Sequence, residues 1–182
     1  MKVLVFVKAT PNSEQGLPPV EDMQKLFAEM GAYNERLVKA GVMQEGDGLR
    51  PSSAGKRIKF SEGKVSVIDG PFAETKELVA GYWVWNVKSM EEAVEWARQC
   101  PNPMPGEEGV LEIRPTYTAE DFGVSLPPEE REREARLRRE VRARQSRAAK
   151  PKRKAAKATA RKSKGKVTKR AAKRRAPAKR KK

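Results

Sequence analysis

The chain predicts an α+β fold, a ferredoxin-like antiparallel sheet with two helices on one face, followed by a basic arm without a core of its own. Three observations predict it. Strand-like and helix-like periodicities alternate in the order β-α-β-β-β-α-β from Lys2 to Tyr117. The strongest strand segments are bulky and apolar on both faces. Charge also divides sharply. Residues 1–126 hold 14 Lys+Arg against 19 Asp+Glu, a net of −5, and residues 127–182 hold 26 against 5, a net of +21.

The first strand spans Lys2–Thr10, with Val3, Val5 and Val7 on one face and Leu4 and Phe6 on the other. Its start faintly resembles a secretory leader, but the apolar run is only five residues long and is closed by Lys8, so a strand is expected. Pro11–Pro19 is loop. Val20, Met23, Leu26, Phe27, Met30, Tyr33, Leu37 and Val38 then recur at helical spacing, and Gly41 stops the helix after about five turns. Gly41–Gly55 is punctuated by Gly, Pro and Ser and leaves little room for a long element. Arg57–Phe60 and Lys64–Ile68 read as short strands around a Ser61-Glu62-Gly63 turn.

Asp69-Gly70-Pro71-Phe72 is a tight turn by composition. Leu78–Val87 is the next strong strand, with Trp83 and Trp85 on one face and Tyr82 and Val84 on the other. Ser89-Met90-Glu91-Glu92 is a capping box that opens a helix over Met90–Gln99, with Ala93, Val94, Trp96 and Ala97 inward. Gly109–Tyr117 is the last strand. Two helices cover one face of such a sheet. The second apolar face needs another partner, and a homodimer with sheets face to face, or loops such as Gly41–Gly55, would supply it.

Composition excludes several chemistries. The chain has no histidine and one cysteine, Cys100. It therefore lacks Ser-His-Asp and Cys-His catalytic sets, histidine metal sites, multi-cysteine zinc sites and an internal disulfide framework. No metal is expected and no cofactor motif is present. Gly46–Ser53 is either a plain loop or one that cradles a small anion through backbone N–H groups. It departs from a P-loop, because six residues separate Gly48 from Gly55 and Lys56 is followed by Arg57 rather than Ser or Thr.

Asp69-Gly70-Pro71-Phe72-Ala73-Glu74-Thr75-Lys76-Glu77 resembles the signature of the YCII-related proteins, specifically the DGPF subfamily. Supporting pieces follow in order: Lys2-Val3-Leu4-Val5, Tyr33-Asn34-Glu35, Ala40-Gly41-Val42, Gly46-Asp47-Gly48-Leu49 with Pro51-Ser52, Gly81-Tyr82-Trp83, Glu95-Trp96-Ala97 and Glu112-Ile113-Arg114-Pro115. The resemblance covers about residues 1–118. It implies a dimeric α/β barrel, and in some members of the group an association with alternative sigma factors. It also implies a His–Asp catalytic pair, of which only Asp69 has a counterpart here.

Asp69 is thus the candidate catalytic residue, a general base at a cavity mouth; as an Asp before Gly it equally caps its own turn. Tyr33, Glu35, Ser52, Asp69, Phe72, Glu74 and Lys76 form the candidate ligand-binding set. Tyr33 also fits the core, and Glu74, Lys76 and Glu35 also fit a solvated surface. Trp83, Trp85 and Trp96 read as core or dimer interface before they read as stacking platforms. Cys100 reads as an ordinary thiol.

Residues 1–122 are expected to form the folded domain, 123–147 a charged linker, helical or half-ordered, and 148–182 a disordered tail. In the tail Val167 is the one large apolar residue and there is no aromatic. Lys150, Lys152, Arg153, Lys154, Lys157, Arg161, Lys162, Lys164, Lys166, Lys169, Arg170, Lys173, Arg174, Arg175, Lys179 and Arg180 are its candidate phosphate contacts. The composition resembles the Lys/Ala/Pro tails of linker histones. It predicts DNA or RNA binding without base readout, since counterion release needs only phosphates. No amphipathic apolar face points to a membrane.

The expected function is a dimeric small-ligand-binding or regulatory module tethered to nucleic acid, in the cytoplasm and at the nucleoid, or in the nucleus of a eukaryote. Two alternatives stand beside it. One is a small acid–base enzyme using Asp69, against which the missing histidine argues. The other is a nucleoid protein in which the domain only dimerises two basic arms.

Overall fold

A computed structural model describes residues 1–148. It packs as one unit from Met1 to Thr118 and a second that begins at Ala119. The first unit contains β1 (Lys2–Lys8), α1 (Val20–Lys39), β2 (Met43–Gly48), β3 (Lys56–Ser61), β4 (Lys64–Asp69), β5 (Val79–Asn86), α2 (Met90–Ala97) and β6 (Leu111–Pro115). The second contains α3 (Pro128–Ala148).

The fold class is the expected α+β one. A four-stranded antiparallel sheet runs β2-β5-β1-β6, which is the ferredoxin-like order with a hairpin inserted between β2 and β5. The register sets Val3 opposite Trp85 and Val5 opposite Trp83. These side chains, with Val7, lie on the covered face and pack against Tyr33 and Leu37 of α1 and Ala93 of α2. Leu4, Phe6, Tyr82 and Val84 occupy the other face and are half-buried.

Local signals are realised closely at the helix ends. Gly41 adopts a φ of 73°. The Gly41 N–H donates to the Val38 carbonyl at 3.0 Å and the Val42 N–H to that of Leu37 at 2.9 Å. Together these bonds close the last turn of α1 in a Schellman motif. At the start of α2, Ser89 Oγ accepts from the Glu92 N–H at 3.3 Å, while the Glu92 carboxylate accepts from the Lys88 N–H.

Three expectations are corrected. Gly41–Gly55 contains a strand, β2, where a loop or an anion cradle was expected. Its Gly, Asp and Glu have poor strand propensity, so the extended form comes from pairing with β5. The described residues therefore hold six strands, and β3 and β4 form a sheet of their own. They cannot join the larger sheet through β5, because β1 and β2 occupy both its edges. Finally, Val94, Val20, Phe27 and Val38 are exposed instead of inward. The helices bury a narrower stripe than their apolar content allows, centred on Tyr33, Leu37 and Ala93.

Candidate functional site

β4 ends on Asp69, and the chain then turns back through a cis Gly70–Pro71 bond into Phe72. This turn seats on the short helical turn Ser52–Ala54 that precedes β3. The seat is made of backbone. A Cβ on Gly70 would lie 1.8 Å from the Ser52 carbonyl oxygen, so only glycine fits. The Gly70 N–H donates to the Gly55 carbonyl at 3.1 Å, and the Phe72 N–H donates to Ser52 Oγ at 3.1 Å. The loop after β1 adds a third layer, with the Ser52 N–H donating to Glu14 Oε2 at 2.9 Å.

The side chains above this seat carry charge. Lys56, at the start of β3, pairs with the Asp69 carboxylate across the hairpin, where the two residues are register partners. Arg57 lies with its guanidinium 4.1 Å from the Phe72 ring centroid, a cation–π contact. Asp69 keeps 74% of its side-chain exposure, so the ion pair sits in water and contributes little stability. A base of this kind already faces an ammonium. The arrangement therefore suits recognition of a polar or anionic small molecule, with Arg57 and Lys56 as donors, better than proton abstraction.

Ser52, Asp69 and Phe72 are thus brought together at this turn. Glu74 and Lys76 follow in exposed positions at and within the helical turn Thr75–Glu77. Tyr33 and Glu35 find partners elsewhere. Tyr33 is 1% exposed and its hydroxyl donates to the Trp96 carbonyl at 2.9 Å; Glu35 pairs with Lys39 at 3.7 Å on the outer surface of α1. Glu14, Lys56 and Arg57 belong to the turn and were missed. Glu14 is 38 positions from Ser52 and carries no local signal. The basic pair Lys56-Arg57 was visible as composition, though its role was not.

Cys100 lies outside this turn, beside Tyr33. Burial pushes its thiol up to about 11, against a hydrogen bond with Tyr33 that lowers it. It is therefore protonated near neutrality and a weak nucleophile. Burial likewise pushes the Tyr33 phenol up. A separate open groove of about 640 Å3 runs along Val94, Ala97, Cys100, Asn102, Leu111 and Ile113. It does not include the Asp69 turn. Arg98 and Glu108 also line it, and Arg98 pairs with Glu95 at 3.9 Å.

In the second unit α3 opens with Glu129, Glu130, Glu132 and Glu134 interleaved with Arg131, Arg133, Arg136 and Arg138, and Arg139, Arg142, Arg144 and Arg147 follow against Glu140 alone. Glu134 pairs with Arg138 and Glu130 with Arg133. The expected phosphate contacts from Lys150 to Arg180 lie outside the described residues. Among the described residues no helix is long and apolar enough to cross a membrane.

Comparison with known proteins places the domain. Residues 1–118 match the model of the YCII-related domain. An uncharacterised protein of Rhizobium meliloti (strain 1021) is 34% identical over 95 residues, covering 52% of this chain and 76% of that protein. A solved structure, 5-chloro-2-hydroxyhydroquinone dehydrochlorinase from Burkholderia phenoliruptrix in complex with 2,5-dihydroxybenzoquinone, aligns over 66% of this chain and 98% of its own. Its TM-score is 0.34 and its identity 20%. The chain belongs to the YCII-related family.

Proposed function

We propose, from membership of the YCII-related family as premise, that this protein is a regulatory binding module. Its α+β domain self-associates and takes a small polar or anionic ligand at the turn of Ser52, Asp69 and Phe72. Its C-terminal segment holds it on nucleic-acid phosphates. The observation that carries the reading is the partition of charge, −5 over residues 1–126 against +21 over residues 127–182. An acidic body is repelled by a polyanion, so attraction must come through the basic end.

Binding of this kind reads phosphate and not sequence, because residues 149–182 contain no aromatic to stack on a base. Self-association would place two arms on one duplex and raise avidity. The half-buried Leu4, Phe6, Tyr82 and Val84 offer a sheet face for it. Binding is preferred to catalysis because Asp69 is exposed and already paired with Lys56.

The test is fluorescence anisotropy with labelled duplex DNA and RNA, comparing the full chain with one ending at Leu126 across a salt series. The full chain should bind with a log–log slope near −7, for roughly eight phosphates neutralised, and the shortened chain should not bind. Absence of binding by both near 0.15 M salt overturns the nucleic-acid half of the proposal.

A further inference from the structure

The β3–β4 hairpin is a ribbon exposed to solvent from end to end. Every residue from Lys56 to Asp69 is exposed, and the two strands pair only with each other. Register sorts the side chains. Arg57 is opposite Ile68, Lys59 opposite Ser66 and Ser61 opposite Lys64, so these six share one face. That face carries three cations, two hydroxyls and no carboxylate. The two acids of the hairpin stand elsewhere: Asp69 is on the opposite face in register with Lys56, and Glu62 is in the turn. Among the described residues, Arg57, Lys59 and Lys64 form no ion pair. Residues 149–182 contain no Asp or Glu that could neutralise them.

Such a face suits phosphates. Lys, Arg and Ser are among the side chains that meet the nucleic-acid backbone. Arg57 and Lys59 stand about 7 Å apart along β3, far enough for each to meet its own phosphate. A two-stranded ribbon also fits the major groove of B-form DNA, about 12 Å wide, and not the deep, narrow one of A-form RNA. The same register argues against a lipid surface. Ile58, Phe60, Val65 and Val67 lie on the face opposite the cations, so one membrane could not engage both. The net acidity of the body does not prevent the contact. At physiological salt charges are screened beyond about 8 Å, so a phosphate at the ribbon meets the ribbon's own cations and not the distant carboxylates. Long-range attraction comes from the basic end, and the ribbon then engages at the effective concentration set by that tether.

We propose that the Arg57–Lys59–Lys64 face of the β3–β4 hairpin is a second contact with duplex DNA, seated at the major groove of a duplex already held by the basic end. The inference rests on the nucleic-acid reading above and adds a contact that a bare basic segment does not need. It is tested on the full chain by anisotropy with duplex DNA across a salt series. Lys59→Gln with Lys64→Gln is compared with a control of equal charge, Lys25→Gln with Lys88→Gln, exposed lysines elsewhere on the domain. The hairpin pair should flatten the log–log slope by about 2 and weaken binding at least fivefold near 0.15 M salt, and the control pair should do neither. Acetylation footprinting of the unsubstituted chain is the second readout. Duplex DNA should protect Lys59 and Lys64 and leave Lys25 and Lys88 reactive. On duplex RNA the two variant pairs should behave alike. Equal slopes for the two pairs on DNA, or full reactivity of Lys59 and Lys64 in the complex, overturn the hairpin contact and leave the basic end standing as the tether. A loss on RNA as large as that on DNA overturns the major-groove placement. A full chain that binds no duplex overturns both readings.

Discussion

Gly46 of β2 lies opposite Trp83 of β5, and a Cβ at Gly46 would stand 2.5 Å from Trp83 Cδ1. The indole therefore occupies the space that any other residue at position 46 would need. Its Nε1–H donates to Asn34 Oδ1 at 3.0 Å, and its ring meets Tyr33 edge-on at 6.2 Å. Trp83 is held from three sides and has little freedom to move. Gly46→Ala is expected to destabilise the domain by about 1–3 kcal/mol, the usual cost of forcing extra volume into a packed site. Urea unfolding of the full chain checks it, and an unchanged midpoint would show that the indole relocates freely.

Asn34→Ala leaves the Trp83 donor without its acceptor in a buried setting. The expected loss is about 1–3 kcal/mol. Asn34→Asp, which keeps an acceptor oxygen, should recover much of it at neutral pH. Thermal unfolding of the two variants side by side separates a hydrogen-bond effect from a packing one.

Ser52 is the hub of the Asp69 turn, accepting from Phe72 through its hydroxyl and donating to Glu14 through its backbone. Ser52→Ala should cost about 1 kcal/mol, one hydrogen bond of ordinary strength. Gly70→Ala should cost more, because it meets backbone and not a side chain that can swing aside. The same unfolding assay ranks them, and the reverse order would refute this account of the seat.

Asp69→Asn removes one partner of an ion pair exposed to water. Stability should change by less than about 1 kcal/mol. If the turn binds a ligand, the variant should alter the thermal shift given by small polar or anionic metabolites while leaving the melting temperature of the free protein in place. Loss of fold on this substitution would make the residue structural.

Cys100 predicts an alkaline limit to stability. Its ordinary value is near 9.0 and the fold raises it to about 11. The folded state thus holds the proton more tightly than the unfolded one. That contribution is complete below about pH 9 and is lost as pH rises towards 11. The melting temperature should fall across that window, and Cys100→Ala should flatten the part of the fall that belongs to the thiol. Alkylation of Cys100 in the native protein should stay slow at pH 7–8.

The elements that sequence resolved are those whose information is local. The stop of α1 at Gly41, the cap of α2 at Ser89 and the Glu62-Gly63 turn each depend on a few neighbouring residues. The alternation in β1 and β5 read correctly for a similar reason, since spacing alone sorts Val3, Val5, Trp83 and Trp85 onto one face. At the candidate site, Ser52, Asp69 and Phe72 were legible as parts of a resemblance. Glu14 and Arg57 were not, because each acts through a contact that no sequence spacing encodes.

By itself, then, the sequence determined the order of most elements, the two-faced character of the central strands and the division of charge between the body and the basic end. These follow from periodicity and composition, which survive without any tertiary contact. Only the tertiary structure decided that Met43–Gly48 is a strand, that Gly70 presses on Ser52, and that Phe27 and Phe60 are left in solvent. Each of these depends on which distant surface a segment meets. Burial is a property of that meeting, and a residue's apolar character states only that it would favour one.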